Sequence, residues 1–366
     1  MRMNRYFHSS LLLTILTLMG IGLVQVYSSS YIFAIETYGD GLFFFKKQLV
    51  YSFIGLMALI AGMTTPRSWL EKHGWILFAF ATLLVALTLI PGLGVKVGGA
   101  ARWLKLPLGI RFEPSELLKY SFPFFFATLL TRQQETAIKI PLWMMVTLLA
   151  LPAVILLRQP DFGSFAILII VSVLLLVAFG LPWKYVAGSL VLILPSFYYL
   201  VMMKDYRRAR LLSFLDPWAD PDQKGFQAIQ SMLSFHSGGI WGVGLGQGQG
   251  KLFFLPEAHT DFTLAVLGEE TGFLGFLFIL FLYGMVVLRG FQIALKQESA
   301  FLKATILGIS TTFAVHVFIN CGVVMGLLPT KGLTLPFLSF GGSHLVTLCF
   351  FFGFLIQLEQ SENAAH

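Results

Sequence analysis

Ten stretches of this chain are apolar for long enough to cross a lipid bilayer, and nothing else in the sequence restricts its fold as much. A spanning helix needs about 20 mostly apolar residues. Runs of that kind lie at roughly 8–27, 47–63, 75–91, 115–131, 140–157, 162–181, 183–203, 262–288, 303–326 and 337–358. A membrane barrel would show short alternating segments instead. The expectation is an all-α polytopic membrane protein of about ten helices, held in a single domain over residues 1–366. Composition agrees, with 57% hydrophobic and 12% charged residues, where soluble domains carry roughly a half and a quarter. A soluble globular domain, a disordered chain and a disulfide scaffold are excluded. Cys321 and Cys349 both lie in apolar runs and suggest neither a disulfide framework nor a zinc site. Arg2 and Arg5 precede the first run as in a signal peptide, but its length and the runs after it favour a retained span.

An even number of spans puts both termini on one side. With the N-terminus inside, cytoplasmic segments hold Arg2, Arg5, Arg67, Lys72, Arg132, Lys139, Lys184, Arg289, Lys296 and Lys303, as the positive-inside bias requires. Two longer outer segments oppose it. Residues 91–114 carry Lys96, Arg102, Lys105 and Arg111, and residues 204–261 carry Lys204, Arg207, Arg208, Arg210, Lys224 and Lys251. Long loops translocate largely regardless of charge, so the N-in orientation stands. Cations that topology does not explain then suggest an anionic partner at the outer face.

The 204–261 loop is not disordered by composition. Phe226, Ile229 and Leu233 recur at helical spacing, with Gln227, Gln230 and Ser234 on a neighbouring face, which predicts a short amphipathic helix lying on the membrane surface or packed on the bundle. A glycine run follows from Gly238 to Gly250, ahead of Lys251. It is not a phosphate loop, because Leu245 and Leu252 stand where glycine and Ser or Thr would be needed. A tight backbone path against neighbouring helices is the reading that fits. Beyond it, Glu257, His259 and Asp261 alternate, and in an extended segment they would share one face. Such a trio could do acid–base work or bind a divalent cation. It could equally be a solvated loop with Asp261 as a helix cap.

Four blocks of residues together carry a resemblance. They are Arg210 to Phe262, with Asp216-Pro217-Trp218-Ala219-Asp220-Pro221 and Leu255-Pro256-Glu257-Ala258-His259-Thr260-Asp261-Phe262; Gly99 to Trp103 with Glu113 to Lys119; Gly268-Glu269-Glu270-Thr271-Gly272; and Leu328 to Pro336 with Ser339 to Ser343. In order and over most of the chain, these resemble the SEDS family (shape, elongation, division and sporulation), and its septal FtsW branch rather than the elongation branch, RodA. His344 departs from that pattern, which usually has a small residue there.

The resemblance implies an inner-membrane glycosyltransferase that polymerises lipid II into peptidoglycan strands during cell division, alongside a class B penicillin-binding protein and other division proteins. It marks Asp261 as catalytic. Joining two lipid II molecules needs a base for the attacking sugar hydroxyl and cations for the departing diphosphate. Asp261 is the candidate base and Glu257 its rival. Arg102, Arg111, Arg208, Arg210 and Lys331 are candidate phosphate contacts, since Arg suits bidentate binding of phosphate. Trp103 would stack on a sugar or anchor its loop at the interface, and His259 and Ser339 are further candidates for substrate contact. Whether a divalent cation such as Mg²⁺ or Mn²⁺ joins them stays open.

Glu116 and Lys119 lie one turn apart inside an apolar helix, as a functional pair or a structural one. Glu269 and Glu270, two turns into the eighth run, are expected to line the same cavity. Arg158 and Asp161 are expected to form a structural ion pair. A lipid II flippase and a noncatalytic division scaffold are the alternatives. A transporter would place polar groups at the bilayer midplane, whereas here they gather at the outer ends of the runs, and a scaffold would not need Asp261.

Overall fold

The computed structural model describes residues 9–97, 100–109, 111–135, 142–180, 188, 208, 212–221, 223, 225–330 and 332–363. Its long helices are α1 (Ser10–Tyr38), α2 (Phe43–Thr64), α3 (Arg67–Leu87), α4 (Pro114–Glu135), α5 (Leu142–Arg158) and α6 (Phe162–Ala178). After a shorter helix, α7 (Phe226–Gly238), come α8 (Thr263–Lys296), α9 (Ala300–Val324) and α10 (Gly342–Asn363). Nine of the ten expected runs coincide with these helices, and 183–203 lies outside the described residues. Among the described residues, six helices (α1, α2, α3, α8, α9 and α10) are long and apolar enough to cross a membrane. The chain is thus an all-α integral membrane protein.

The first helix overruns its apolar stretch because caps, not hydropathy, set its ends. Ser9 accepts from the Leu12 N–H to start α1, and Gly39, at φ +71°, stops it. Ser9 also donates to the Glu359 carboxylate of α10, and Arg67 at the start of α3 donates to Ser361, so first, third and last helices are tied at one end of the bundle. Between α2 and α10 the packing is backbone-close. A Cβ on Gly62 would lie 2.0 Å from the Phe350 carbonyl oxygen, and one on Gly353 2.1 Å from that of Leu59. Small residues at helix crossings are how bundles in lipid gain contact without a hydrophobic driving force. The core is rich in rings, including Phe124, Phe313, Phe351, Phe352 and Phe354.

At the opposite end, the described part of the 91–114 segment carries a single 3-10 turn, Pro107–Gly109, ahead of α4. It forms an antiparallel sheet of β1 (Gly94–Val97), β2 (Ala100–Lys105) and β3 (Arg111–Phe112). Val95 pairs with Trp103 and Lys96 with Ala101, so the extra residue on β2 is Arg102. A bulge of this kind re-aims the side chain it carries.

The predicted amphipathic helix is α7, but a different face is buried. Ile229, Ser231, Ser234 and Gly238 point inward, whereas Leu233 is 45% exposed. Gly238 sits against the backbone of α8, where a Cβ would come 2.2 Å from the Gly268 carbonyl oxygen. Close approach therefore selected the small face over the apolar one.

The glycine run has a backbone task. Within α8, Gly272 is non-helical at φ +69°, ψ −169°, which frees peptide groups in mid-helix. The 239–244 segment takes them up: Phe273 N–H donates to Gly239 and Leu274 N–H to Ile240, while Val243 and Gly244 donate to the carbonyls of Glu269 and Glu270. Peptide groups freed at membrane depth must find such partners. A Cβ on Gly242 would lie 2.2 Å from the Glu270 carbonyl oxygen.

Candidate active site

The sheet, the start of α4, the turn before α8 and the segment before α10 surround a cavity of about 710 Å³. That is within the range of roughly 300–1,000 Å³ usual for ligand sites. Its wall includes Arg102, Trp103, Arg111, Glu113, Glu257 and Asp261, with Glu116 and His344 also reaching it.

Residues 255–262 form a turn rather than an extended segment. The N–H groups of Thr260, Asp261 and Phe262 all donate to the Glu257 carbonyl, and Glu257 itself has φ +57°. The expected shared face is therefore lost. Glu257 and Asp261, four residues apart, both reach the cavity wall, while His259 is packed among aromatic rings. Its imidazole stacks 5.4 Å from Phe33 and lies 4.5 Å from Phe44, with Phe340 beyond. Burial holds the His259 imidazole below its usual range, against a weaker opposing pull from Glu257, so it packs as a neutral ring.

Asp261 does not cap α8: the residue in the capping position is Phe262, with no side-chain bond to the helix. Its position is fixed from behind. Asn320 Nδ2 on α9 donates to the Asp261 carbonyl at 3.4 Å and to the Leu333 carbonyl at 2.5 Å, joining the turn to the last loop. In front, a Cβ on Gly332 would lie 3.1 Å from Asp261 Oδ2 and 3.5 Å from Arg102 Nη1, so carboxylate and guanidinium close on the same glycine. Arg102 is held in that direction by its bond to the Pro160 carbonyl, 3.0 Å. Glu257 is exposed and accepts from Thr260 Oγ1 at 2.9 Å inside its own turn.

Sequence reasoning left Glu113 out of the candidate set. It lies on the cavity wall, and its N–H donates to Ser343 Oγ at 3.0 Å. Desolvation pushes the Glu113 carboxyl up to about 8; the charges of Glu116 and Asp161 add to this, while Lys119 and Arg102 oppose it. A carboxylic acid kept neutral at pH 7 can donate a hydrogen bond into the cavity. The available signal was its place beside Arg111, one acid in a segment otherwise rich in cations.

Other expectations meet different structural roles. Glu269 and Glu270 are buried away from the cavity. Glu269 accepts from the N–H groups of Gln249, 2.7 Å, and Gly250, 3.0 Å, and Glu270 pairs with Lys251 at 2.7 Å and accepts from Ser28 Oγ at 2.6 Å. Both acids hold the glycine loop on α8. Ser339 is buried, accepting from Leu335 N–H at 2.9 Å and donating to Thr263 Oγ1 at 3.2 Å, and so fastens the last loop to the start of α8. Asp161 caps α6 by accepting from the Ser164 N–H, and it forms no ion pair with Arg158, which is exposed. Lys119 is wholly buried, 2.9 Å from Glu116. Arg208 is exposed, and Arg210 and Lys331 lie outside the described residues.

Over residues 9–364 the chain matches the model of a cell cycle protein family, FtsW/RodA/SpoVE. A probable peptidoglycan glycosyltransferase FtsW of Geobacter metallireducens is 44% identical over 354 residues, covering 95% of this chain and 93% of that protein. One from Legionella pneumophila is 37% identical, covering 94% and 88%. Among solved structures, a chain from a peptidoglycan synthase complex, described for its coordination of polymerization and crosslinking, superposes with a TM-score of 0.76 at 26% identity, covering 97% of this chain and 98% of its own length. The rod shape determining protein RodA of Thermus thermophilus shares the fold, with a TM-score of 0.69 at 24% identity and 96% coverage of both chains. With the match running from the first described helix to the last, this chain is a member of the FtsW/RodA/SpoVE family of membrane proteins.

Proposed function

We propose that this protein is a peptidoglycan glycosyltransferase of the septal, FtsW type, polymerising lipid II at the outer face of the cytoplasmic membrane. The observation that carries the reading is the convergence of Asp261 and Arg102 on Gly332 in the wall of a cavity large enough for a disaccharide. Asp261 takes the proton from the acceptor sugar's hydroxyl as that oxygen attacks the donor's anomeric carbon. The bond from that carbon to the diphosphate breaks, and the electron pair leaves with the lipid diphosphate. Arg102, together with Arg111 and Lys331, compensates the negative charge that develops on it. Trp103 offers a ring face to a sugar, and Glu113 a neutral donor.

In this reading the sheet and the loop are extracytoplasmic, both termini are cytoplasmic, and the protein acts at the division septum. A class B penicillin-binding protein crosslinks the strands it makes. Labelled lipid II, the purified chain and that partner make the test, with wild type compared against Asp261→Asn. The expected outcome is glycan strands from wild type and a loss of at least about 100-fold in the variant, as for removal of a general base. Strands made at the wild-type rate by Asp261→Asn, with Glu257→Gln inactive, would transfer the role to Glu257. No strands from wild type with its partner would overturn the polymerase reading.

A further inference from the structure

We propose that Glu116, His316 and His344 bind a divalent transition metal ion of the zinc class at the inner end of the cavity. The three residues come from α4, α9 and α10, three separate packed helices, and one ligand atom from each lies within 4.8 Å of the others. All three are buried.

What points to a ligand is the condition of the two imidazoles. His316 is 0% exposed; its nearest backbone partner is Thr334, but neither ring nitrogen makes a well-formed hydrogen bond, and at least one has no partner at all. His344, 4% exposed, uses Nδ1 on Glu116 Oε2 at 2.6 Å and leaves Nε2 without a partner. Buried polar atoms without partners are rare and mark an unfilled need. The ring–ring contact of the two histidines, 4.8 Å at 83°, is edge-to-face and is not a hydrogen bond between their nitrogens. A metal ion would use one nitrogen lone pair from each.

The donor set identifies the class. Two imidazoles and one carboxylate are the protein ligands of a three-ligand zinc site with an open fourth position, whereas Mg²⁺ and Ca²⁺ take oxygen. Bonds of about 2.0–2.2 Å require the ligand atoms to draw together from their present spacing, with the His344–Glu116 hydrogen bond exchanged for bonds to the ion. The other carboxylate oxygen, Oε1, stays with Lys119 Nζ at 2.9 Å, an outer partner of the sort that orients a metal-bound carboxylate. Glu116 also stands between the ammonium and the ion, which limits their repulsion. Since Glu116 and His344 reach the cavity wall, the open position faces the cavity.

The test uses the untagged full-length chain in detergent, stripped with chelator and titrated with Zn²⁺ by calorimetry and with Co²⁺ by visible absorption. One ion per chain is expected, with the d–d bands of four- or five-coordinate Co²⁺. His316→Gln and His344→Asn should each weaken binding by about 100-fold or more, while His236→Gln, at an exposed position of α7, should leave it unchanged. Zn²⁺ should raise the unfolding temperature of wild type and not that of His344→Asn, a comparison that holds even if His316→Gln fails to fold. Binding of equal strength in wild type and His344→Asn, or no binding beyond that of exposed histidines, overturns the site.

Discussion

Removing either member of the Glu116–Lys119 pair should have unequal effects, and the inequality follows from the geometry. Lys119 Nζ lies 2.9 Å from Glu116 Oε1, and His344 Nδ1 lies 2.6 Å from Oε2. The Lys119 side chain is 0% exposed and that of Glu116 5%. At an effective dielectric constant of about 20, a pair at this distance gains about 6 kcal/mol of gross attraction, most of which offsets desolvation. Glu116→Gln leaves an ammonium group buried without a carboxylate and should cost about 3–5 kcal/mol, the usual range for breaking a buried pair from one side. Lys119→Met leaves Glu116 hydrogen-bonded to His344 Nδ1, which remains its partner. That variant should cost less, about 1–3 kcal/mol. The double variant buries no charge and should be more stable than Glu116→Gln alone.

SDS-driven unfolding in mixed micelles, followed by circular dichroism, reads all four proteins. A coupling free energy of about 2 kcal/mol or more is expected from the cycle, where independent sites agree to within about 0.5 kcal/mol. Additive single effects, or a Lys119→Met variant less stable than Glu116→Gln, would refute the reasoning, because they would mean that His344 does not share the carboxylate.

Two more outcomes follow from the cavity and its surroundings. His259→Phe should keep polymerising activity and stability, while His259→Ala should lose about 2–4 kcal/mol of stability by opening a void among Phe33, Phe44 and Phe340; an inactive but folded His259→Phe would show that the imidazole does chemistry. For Glu113, the folded carboxyl holds its proton up to about pH 8, whereas the ordinary value is 4.5, so between them the folded state binds more protons than the unfolded one and stability falls as pH rises. Glu113→Gln should flatten that fall in unfolding measured from pH 5 to pH 8, and an unchanged slope would place the titration elsewhere.

The parts of this molecule legible in the sequence are those set by residue type alone. Apolar runs located nine helices, and α7 was visible from its period. Arg102 stood out among outer-face cations that topology did not explain, and Asp261 was marked by the family resemblance, its spacing alone being equally that of a helix cap. What could not be read was direction. Leu233 satisfied the amphipathic pattern, but Ser231, Ser234 and Gly238 won the inner face because only small side chains allow α7 to lie on the α8 backbone. Glu269 and Glu270 followed the candidate carboxylate by two turns and looked like cavity residues. Their partners, Lys251, Ser28 and the N–H groups of the glycine loop, come from segments whose fold the sequence does not announce. The trio at 257–261 failed for a local reason, the positive φ of Glu257, which curls the segment and turns His259 into the rings. Nothing in the spacing links Glu116, His316 and His344, which lie 200 and 28 positions apart along the chain and meet only through helix packing.

The arrangement of charges also explains why such a site needs the whole bundle. Arg102 is aimed by a bulge and by the Pro160 carbonyl between α5 and α6; Asp261 is held by Asn320 of α9; and Ser339 ties the last loop to α8. Each tether comes from a different element, so no fragment of the chain retains the pair. The ionic groups that serve only structure are kept apart: Glu270 with Lys251 lies under the glycine loop, and Ser9 with Glu359 at the far end of the bundle. Inside lipid, a charge without a partner is expensive, and among the described residues the buried acids outside the cavity, Asp161, Glu269, Glu270 and Glu359, each have a donor. The cavity is where that rule relaxes, with Glu257 exposed, Glu113 held neutral and Asp261 facing an Arg across a glycine. Partial neutralisation there leaves the arginines with spare charge for an anionic ligand. A cavity built only for stability would have consumed it.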